Sequence, residues 1–200
     1  MAIITLFEFV ILIFSIVLHE VSHGYMANYL GDPTAKYAGR LTLNPIKHVD
    51  PFGSIVLPIL SFITGGFIIG WAKPVPYNPY NLRNGKTGEA LVALAGPLSN
   101  LAIALIFSFV IRLGQNLLPS SFVLIAGFVV YINLTLMLFN LIPVFPLDGS
   151  RILFSFLPVR FRYIKDWFEK YSLFFLLILI FFFLQPFSHL VDALFNFFVP

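Results

Sequence analysis

Residues 19–23 read His-Glu-Val-Ser-His, and they close an apolar run, 2–18, whose one charged residue is Glu8. The run is long enough to enter a bilayer as a helix. Two histidines four residues apart on a helix lie about 40° apart around the axis and about 6 Å apart along it, so both can bind one metal ion. This H-E-x-x-H pattern predicts two zinc-binding imidazoles and a base, Glu20, that takes a proton from water.

The alternative is that three polar residues meet at a membrane edge by chance. A carboxylate within a membrane helix costs about 2.5–3.5 kcal/mol on insertion scales, so ionisable groups at this depth indicate function by default. The position of the pattern in an apolar helix therefore favours a metal site.

The composition places the whole chain in a membrane. Its 200 residues are 59% hydrophobic and 10% charged, whereas soluble domains carry about 25% charged residues. The chain has no cysteine, which excludes disulfides, thiolate catalysis and thiolate zinc ligands. The net charge is +3 from dispersed basic residues, and nothing in this pattern indicates a nucleic-acid partner.

Four segments predict transmembrane helices, and we expect the first to be retained, because it lacks the basic region of a cleaved signal. They are residues 2–28, 91–111, 122–142, and a Phe-rich span from 172 to about 184. The apolar tail 186–200 has no assignment from sequence. The fold class predicted is therefore an all-α polytopic membrane protein with about four transmembrane helices.

Other segments predict irregular or interfacial structure. Residues 38–45 read as a short strand followed by a turn. Residues 71–76 read as extended chain, because each proline disfavours helix in the residue before it. The apolar stretch 52–71 is interrupted by glycines and a proline, which argues against a straight span and favours a re-entrant segment. Residues 151–170 are amphipathic and predict an interfacial element.

A catalytic zinc needs a third protein ligand beside the two histidines, with one position left for water. Among the other acids and histidines, Asp148 alone follows an apolar span by six residues, in a segment broken by Pro143 and Pro146. Such a segment can fold back toward the bundle. The alternative for Asp148 is a solvated carboxylate at a helix end, and His48 reads as a solvated loop histidine.

Four motifs in this order resemble the site-2 protease family, the intramembrane zinc metalloproteases. They are His-Glu-Val-Ser-His at 19–23, Gly-Arg-Leu-Thr-Leu-Asn-Pro at 39–45, Gly96-Pro97 with Asn100, and Asn-Leu-Ile-Pro at 140–143 followed by Asp148-Gly149. Together they cover most of residues 1–155. Their joint occurrence is more specific than any one of them.

The resemblance implies one zinc ion per chain, bound by His19, His23 and Asp148, with Glu20 as the general base. It also implies that Asn140 lies near the scissile segment of the substrate. Gly96 and Asn100 would belong to the core helix beside the site. The sequence contains no PDZ or CBS domain, as in compact bacterial members of the family.

Two asparagines are candidates for contacting the substrate or the oxyanion. An amide donor can stabilise the negative oxygen that develops during hydrolysis or hold a substrate strand. Asn140 and Asn100 are the predicted donors, and an interhelical hydrogen bond is the alternative for each.

The function predicted is an intramembrane zinc endopeptidase, built as a single membrane-embedded domain, 1–200, with a catalytic core, 1–155. Its partners would be a transmembrane protein substrate and the lipid bilayer. A membrane protein that binds or transports zinc without catalysis is the main alternative, and an inactive protease-like chaperone is a third. Glu20 favours the enzyme, because neither alternative needs a base beside the metal.

Topology follows from the need to bring both ends of the site together. Between residues 23 and 148 the chain must cross the membrane an even number of times, and 91–111 with 122–142 supply two crossings. A re-entrant 52–71 then places eleven of the twelve Lys and Arg residues on one side, with Arg112 alone opposite. This bias predicts a zinc site near the cytoplasmic face of a bacterial plasma membrane, with both termini outside.

Overall fold

A computed structural model describes residues 2–56, 72–114 and 117–199. This part of the chain is mostly helical and contains no β-strand. Its α-helices are α1 (Ala2–Tyr29), α2 (Thr34–Tyr37), α3 (Gly85–Gly114), α4 (Ser120–Leu141), α5 (Asp148–Ser155), α6 (Arg162–Lys170) and α7 (Ser172–Phe198). Short 3₁₀ turns form at Pro45–His48, Pro79–Asn81 and Val159–Phe161, and a π-helical turn at Pro51–Val56.

Four of these helices, α1, α3, α4 and α7, are long and apolar enough to cross a membrane. The prediction of an all-α polytopic membrane protein with four spans is therefore confirmed. The helix α7 continues through Pro186 to Phe198, so most of the unassigned tail belongs to the last span. Proline is tolerated inside membrane helices, where neighbouring groups compensate for the lost hydrogen bond.

The helix α3 organises the bundle, because it packs against α1, α4 and α5. Small residues on α3 and α4 allow the two helices to approach closely, as is common in membranes. The buried cluster between them consists of Ala104, Ile111, Ala126, Val130, Leu134 and Met137. In contrast, α7 packs mainly on α4 and leaves most of its surface exposed, as expected for a helix that faces lipid.

The turn after α1 is built around a buried carboxylate. Gly31 adopts a positive φ of 105° and ends the helix, as its sequence predicts. Asp32 is fully buried and accepts hydrogen bonds from the backbone N–H groups of Thr34 and Asn78 and from the side chains of Thr34 and Asn81. Burial alone would raise the pKa of Asp32, but these hydrogen bonds lower it below its usual range. The carboxylate thus ties the end of α1 to the segment before α3.

The predicted strand at 38–45 is wrong. Residues 38 and 39 form a turn after α2, residues 40–44 are irregular, and a 3₁₀ turn begins at Pro45. Residues 72–78 are irregular as well. A ladder with the second segment is hindered, because Pro74 and Pro76 have no N–H to donate. One backbone hydrogen bond, Lys73 N–H to His48 O at 2.9 Å, joins the second segment to the 3₁₀ turn that follows the first.

The predicted re-entrant segment, 52–71, lies for the most part outside the described residues. Its flanks are described, and the hydrogen bond between Lys73 and His48 joins them. The chain therefore leaves and returns at the same end of the bundle. The re-entrant path itself stays a prediction.

Candidate metal centre

The three predicted metal ligands lie together at one end of the bundle. His19 and His23 project from the same face of α1, and both are buried. Their Nε2 atoms lie 3.0 Å and 3.2 Å from the same oxygen, Oδ2 of Asp148. One potential ligand atom from each of the three residues falls within 4.8 Å of the others. Asp148 is separated from the histidines by about 125 positions in sequence, so only the fold can assemble this cluster.

Asp148 reaches the histidines because α5 begins directly against the end of α4. A Cβ on Gly149 would lie 2.2 Å from the carbonyl oxygen of Leu141 and 2.6 Å from that of Ile142, so this close approach requires glycine. Phe145 and Phe154 stack at 5.2 Å and hold the connecting turn against α5. Pro143 and Pro146 break the helix, as the sequence predicts, and Gly149 allows α5 to pack against the end of α4.

A chain of amide hydrogen bonds supports His19 from behind. Its Nδ1 lies 2.6 Å from Oδ1 of Asn100. The amide nitrogen of Asn100 donates to Oδ1 of Asn133 at 2.8 Å, and that of Asn133 donates to Oγ of Ser15 at 2.9 Å. Both asparagines are fully buried. Because each nitrogen donates onward, Oδ1 of Asn100 is fixed as the acceptor for the Nδ1–H of His19.

His23 is oriented by the backbone instead. Its Nδ1 lies 2.7 Å from the carbonyl oxygen of Val92 on α3. A carbonyl can only accept, so this ring also carries its hydrogen on Nδ1. Both histidines therefore direct Nε2 toward Asp148, and hydrogen bonding of the other ring nitrogen is the usual support of a histidine that binds metal.

This arrangement fits a cation. In the neutral tautomer, each Nε2 presents a lone pair, and Oδ2 of Asp148 presents further lone pairs at the same point. Such a convergence is repulsive unless each ring gains a proton or a metal ion lies between the groups. Two imidazoles and one carboxylate form a ligand set that catalytic zinc uses in other proteins.

Gly96 makes room for the two rings. A Cβ at this position of α3 would lie 2.4 Å from Nε2 of His23 and 2.6 Å from Cε1 of His19. Real side chains do not approach this closely, so even alanine would displace an imidazole. Placement of Gly96 on the helix beside the site, which the resemblance implies, now has a physical reason.

Glu20 lies beside the cluster and is held by a separate contact. Its Oε2 accepts a hydrogen bond of 2.8 Å from the backbone N–H of Val75. The donor belongs to the irregular segment 72–78, which packs against α1. Glu20 is thus a neighbour of the ligands on the same helix, and it is not one of the three converging groups.

The two predicted asparagines make their hydrogen bonds within the protein, and His48 is buried. Asn140 donates from its side chain to the carbonyl of Leu136, one turn earlier in the same helix, at 2.9 Å. Asn100 has both ends of its amide bonded inside the protein. His48 is buried, with 2% of its surface exposed, so its prediction as a solvated loop histidine is wrong.

Sequence reasoning missed Asn133, Ser15 and the backbone donor of Val75. Ser15 precedes His19 by four residues and so shares its helix face, which was a readable signal. Asn133 is an amide in the middle of an apolar span, where polar side chains usually bond across helices. No sequence pattern indicates which backbone N–H meets Glu20.

Comparisons with known proteins agree with this geometry. The model of Peptidase family M50 matches residues 114–183, a range that includes Asp148. YwhC of Bacillus subtilis is 40% identical over 175 residues, which are 84% of this chain and 77% of that protein. Rip2 of Mycobacterium tuberculosis is 33% identical over 174 residues, which are 86% of this chain and 64% of that protein. The names of both provisionally describe zinc metalloproteases.

A more distant relative comes from an archaeon. A protein of Methanocaldococcus jannaschii, named a zinc metalloprotease, is 30% identical over 161 residues, which are 79% of this chain and 36% of that protein. The chain therefore spans 77% of YwhC, 64% of Rip2 and 36% of the archaeal protein. No solved structure gives a significant match.

Proposed function

Because this chain belongs to peptidase family M50, we propose that it hydrolyses peptide bonds within or beside the transmembrane segments of other membrane proteins. It is a membrane-embedded zinc metallopeptidase, as its relatives and its four apolar helices indicate. The substrate class and the roles of individual residues are the proposal. They are supported by the geometry of the metal centre.

One observation carries the proposal: the Nε2 atoms of His19 and His23 converge on Asp148 while their Nδ1 atoms are bonded to fixed acceptors. These three residues would hold a single zinc ion. When bound, zinc supplies a Lewis acid that polarises the scissile carbonyl and lowers the pKa of a water molecule to about 7.

Glu20 acts as the general base in this proposal. Its carboxylate accepts a proton from the attacking water and passes it to the nitrogen of the leaving amine. The N–H of Val75 engages Oε2, and Oε1 has no hydrogen bond within the described residues. One oxygen thus anchors the carboxylate, while the other is available for proton transfer.

Asn100 receives a different role from the one that the sequence suggested. Since both ends of its amide are bonded inside the protein and the residue is fully buried, we assign it to orienting His19. Asn140 keeps the proposed role near the substrate. Its Nδ2 bonds a carbonyl of its own helix, and the amide would need to turn to donate to a substrate.

The substrate must present an accessible carbonyl. A transmembrane helix bonds its own carbonyl groups internally, so the substrate must unwind locally before hydrolysis. The irregular segment 72–78 borders Glu20 through Val75, which makes it a surface that an unwound substrate can meet. The position of this irregular segment beside Glu20 agrees with cleavage at the unwound end of a transmembrane segment of the substrate.

The proposed location is a bacterial plasma membrane, with the metal centre toward the cytoplasm and both termini opposite. The charge bias of the sequence supports this orientation. Arg112 at the end of α3 donates to the carbonyls of Phe197 and Phe198. The last residues of α7 therefore lie at the end of the bundle that carries Arg112, away from Asp148.

The test uses purified protein in detergent, its zinc content, and cleavage of a test transmembrane substrate. We expect Glu20→Gln to abolish cleavage and keep one zinc per chain, because Glu20 does not bind the metal. His19→Ala, His23→Ala and Asp148→Ala should lose both zinc and activity. Glu8→Gln makes the same change on the same helix, about three turns away, and should leave both unchanged.

Each outcome separates the enzyme from a protein that only binds or transports zinc. Cleavage that persists in Glu20→Gln would contradict the role of the base. Loss of zinc in that variant would make Glu20 a ligand. Stoichiometric zinc without any cleavage by the unchanged protein, over a range of transmembrane substrates, would favour the zinc-binding alternative.

A further inference from the structure

A short segment, 72–76, lies against α1 beside Glu20, and Val75 makes two contacts there. Its backbone N–H donates to Oε2 of Glu20 at 2.8 Å. Its side chain is buried and fills a notch at Gly24, where a Cβ would come within 2.8 Å of Cγ1 of Val75. The backbone donor is therefore fixed in position relative to the helix that carries Glu20.

The two residues before Val75 are held from the other side by Arg40. Nη2 of Arg40 donates to the carbonyl of Lys73 at 2.7 Å and lies 3.4 Å from that of Pro74. The N–H of Lys73 donates to the carbonyl of His48 at 2.9 Å. The segment is thus clamped between α1 and the loop that precedes the π-helical turn.

The loop that carries Arg40 is itself well defined. Gly39 adopts a φ of 63°, which favours glycine and turns the chain after α2. His48 donates from Nε2 to the carbonyl of Thr42 at 2.9 Å, so the loop closes on itself. Both Arg40 and His48 are more than nine-tenths buried. The closed loop and the burial of both residues therefore hold the guanidinium of Arg40 in a defined position.

Burial of this guanidinium is costly and is incompletely compensated. Within the part of the chain that the structure describes, Nε of Arg40 has no hydrogen-bond partner, and Nη2 contacts the carbonyl oxygens of Lys73 and Pro74. Burying a charged group usually requires full hydrogen bonding. A hydrophobic residue of similar length would fill the same space at lower cost, so stability alone does not explain an arginine here.

We propose that Arg40 is a positioning residue for hydrolysis: by holding the carbonyls of Lys73 and Pro74, it fixes the N–H of Val75 against the carboxylate of Glu20. This inference rests on the proposed role of Glu20 as the base. A glutamate has three rotatable side-chain bonds, and a base must lie within about 2.6–3.2 Å of the proton that it takes. A donor fixed at both sides restricts the carboxylate to the productive orientation.

The experiment measures kcat, KM, zinc content and thermal stability of variants in detergent. Arg40→Met keeps the length of the side chain and removes its donors, and we expect kcat to fall about tenfold to hundredfold, the range that slight misplacement of a reacting group produces. KM and zinc content should change little. Arg40→Lys should recover part of kcat, because an ammonium can donate to one carbonyl. Lys47→Met, an exposed change in the same loop, is the control.

A matched pair at position 75 tests the donor itself. Val75→Pro removes the N–H, whereas Val75→Ala keeps it and removes most of the side chain. We expect Val75→Pro to lower kcat as much as Arg40→Met does, and Val75→Ala, which keeps the N–H but loosens its seat at Gly24, to lower kcat less. Because both residues act through one contact, the double variant Arg40→Met with Val75→Pro should lose no more than either single variant.

Substitution of cobalt for zinc gives a readout that is independent of activity. The visible spectrum of cobalt reports the ligands of the metal, and it should be the same in Arg40→Met as in the wild type. A changed spectrum or lost metal would show that Arg40 supports the metal centre, and this would overturn the proposal.

The remaining outcomes of these experiments also decide the proposal. Wild-type kcat in folded Arg40→Met would overturn the positioning role, and a raised kcat in Val75→Pro would show that the segment restrains Glu20. If Arg40→Met does not fold, Arg40→Lys and the pair at Val75 carry the test. Activity in Glu20→Gln would overturn the proposed role of Glu20 as the base, on which this inference rests, whereas an inactive Glu20→Gln together with wild-type kcat in Arg40→Met would overturn this inference alone.

Discussion

Replacing Asn100 by alanine removes the acceptor of His19 and leaves every group that faces the metal in place. The side chain is fully buried, and its Oδ1 lies 2.6 Å from Nδ1 of His19. The change leaves two buried polar atoms without a partner, Nδ1 of His19 and Oδ1 of Asn133. Each unsatisfied group costs about 1–3 kcal/mol, so folding stability should fall by about 2–6 kcal/mol in total.

The expected loss of zinc affinity is smaller than the loss of stability, and it comes from Nδ1 of His19 alone. Without Asn100, the ring of His19 is free to rotate or to move its hydrogen to Nε2, and in either case it binds metal less well. Loss of such a support typically weakens metal affinity about 10- to 100-fold. This range corresponds to about 1.4–2.7 kcal/mol.

Two companion variants separate metal affinity from stability. Asn100→Asp keeps an acceptor for His19 but has no hydrogen to donate to Asn133, so we expect near-normal zinc affinity with reduced stability. Asn133→Ala removes the far link of the chain and leaves the contact between Asn100 and His19. It should also lower stability more than zinc affinity.

The assay is competition for zinc with a chromophoric chelator at fixed pH in detergent, together with the Tm with and without added zinc. Wild-type zinc affinity in Asn100→Ala would refute the orienting role. Equal loss of affinity in Asn133→Ala would also refute it, since the effect would then follow from general disorder of the core.

Further predictions concern space, charge and topology. Gly96→Ala should abolish zinc binding, because its Cβ would meet His23 at 2.4 Å, while Gly127→Ala, whose nearest contact would be 3.8 Å away, should bind zinc normally; zinc analysis distinguishes the two. The pKa of Asp32 is lowered in the folded protein, so its stabilisation is present above about pH 4, the usual carboxylate range, and is lost as pH falls through the lowered pKa. The difference in Tm between wild type and Asp32→Asn should therefore be largest near neutral pH and shrink in acid, and a constant difference would contradict this. In intact cells, an impermeant thiol reagent should label Leu117→Cys but not Tyr80→Cys, both exposed positions in a chain without cysteine, and labelling of both would refute the topology.

Sequence patterns succeeded where the geometry is local. The relation between His19 and His23 is set by one helical turn, so the spacing alone predicts that both rings face one side. Asp148 could be predicted as the third ligand because prolines break the helix directly after an apolar span. The four spans follow from hydrophobicity and length. The start of α3, at Gly85, differs from its prediction by a few residues, whereas α7 extends to Phe198, well past the predicted end near 184.

The failures concern contacts between segments that are distant in sequence. The strand predicted at 38–45 required a partner strand, and the proline-containing segment 72–76 meets it through the side chain of Arg40 instead. Asn100 was a candidate for substrate contact because an amide fits either role. Only the packing of α1, α3 and α4 shows that its acceptor faces His19.

The polar residues buried among the spans also explain why the centre should select a metal ion. Water cannot enter an apolar bundle freely, so each buried donor or acceptor must be satisfied by the protein. Asn100, Asn133 and Ser15 satisfy one another and the outer nitrogen of His19. The backbone of Val92 does the same for His23. The inner nitrogens and the carboxylate of Asp148 are the groups left facing one another, and this concentration of lone pairs in an apolar setting is best compensated by a divalent cation.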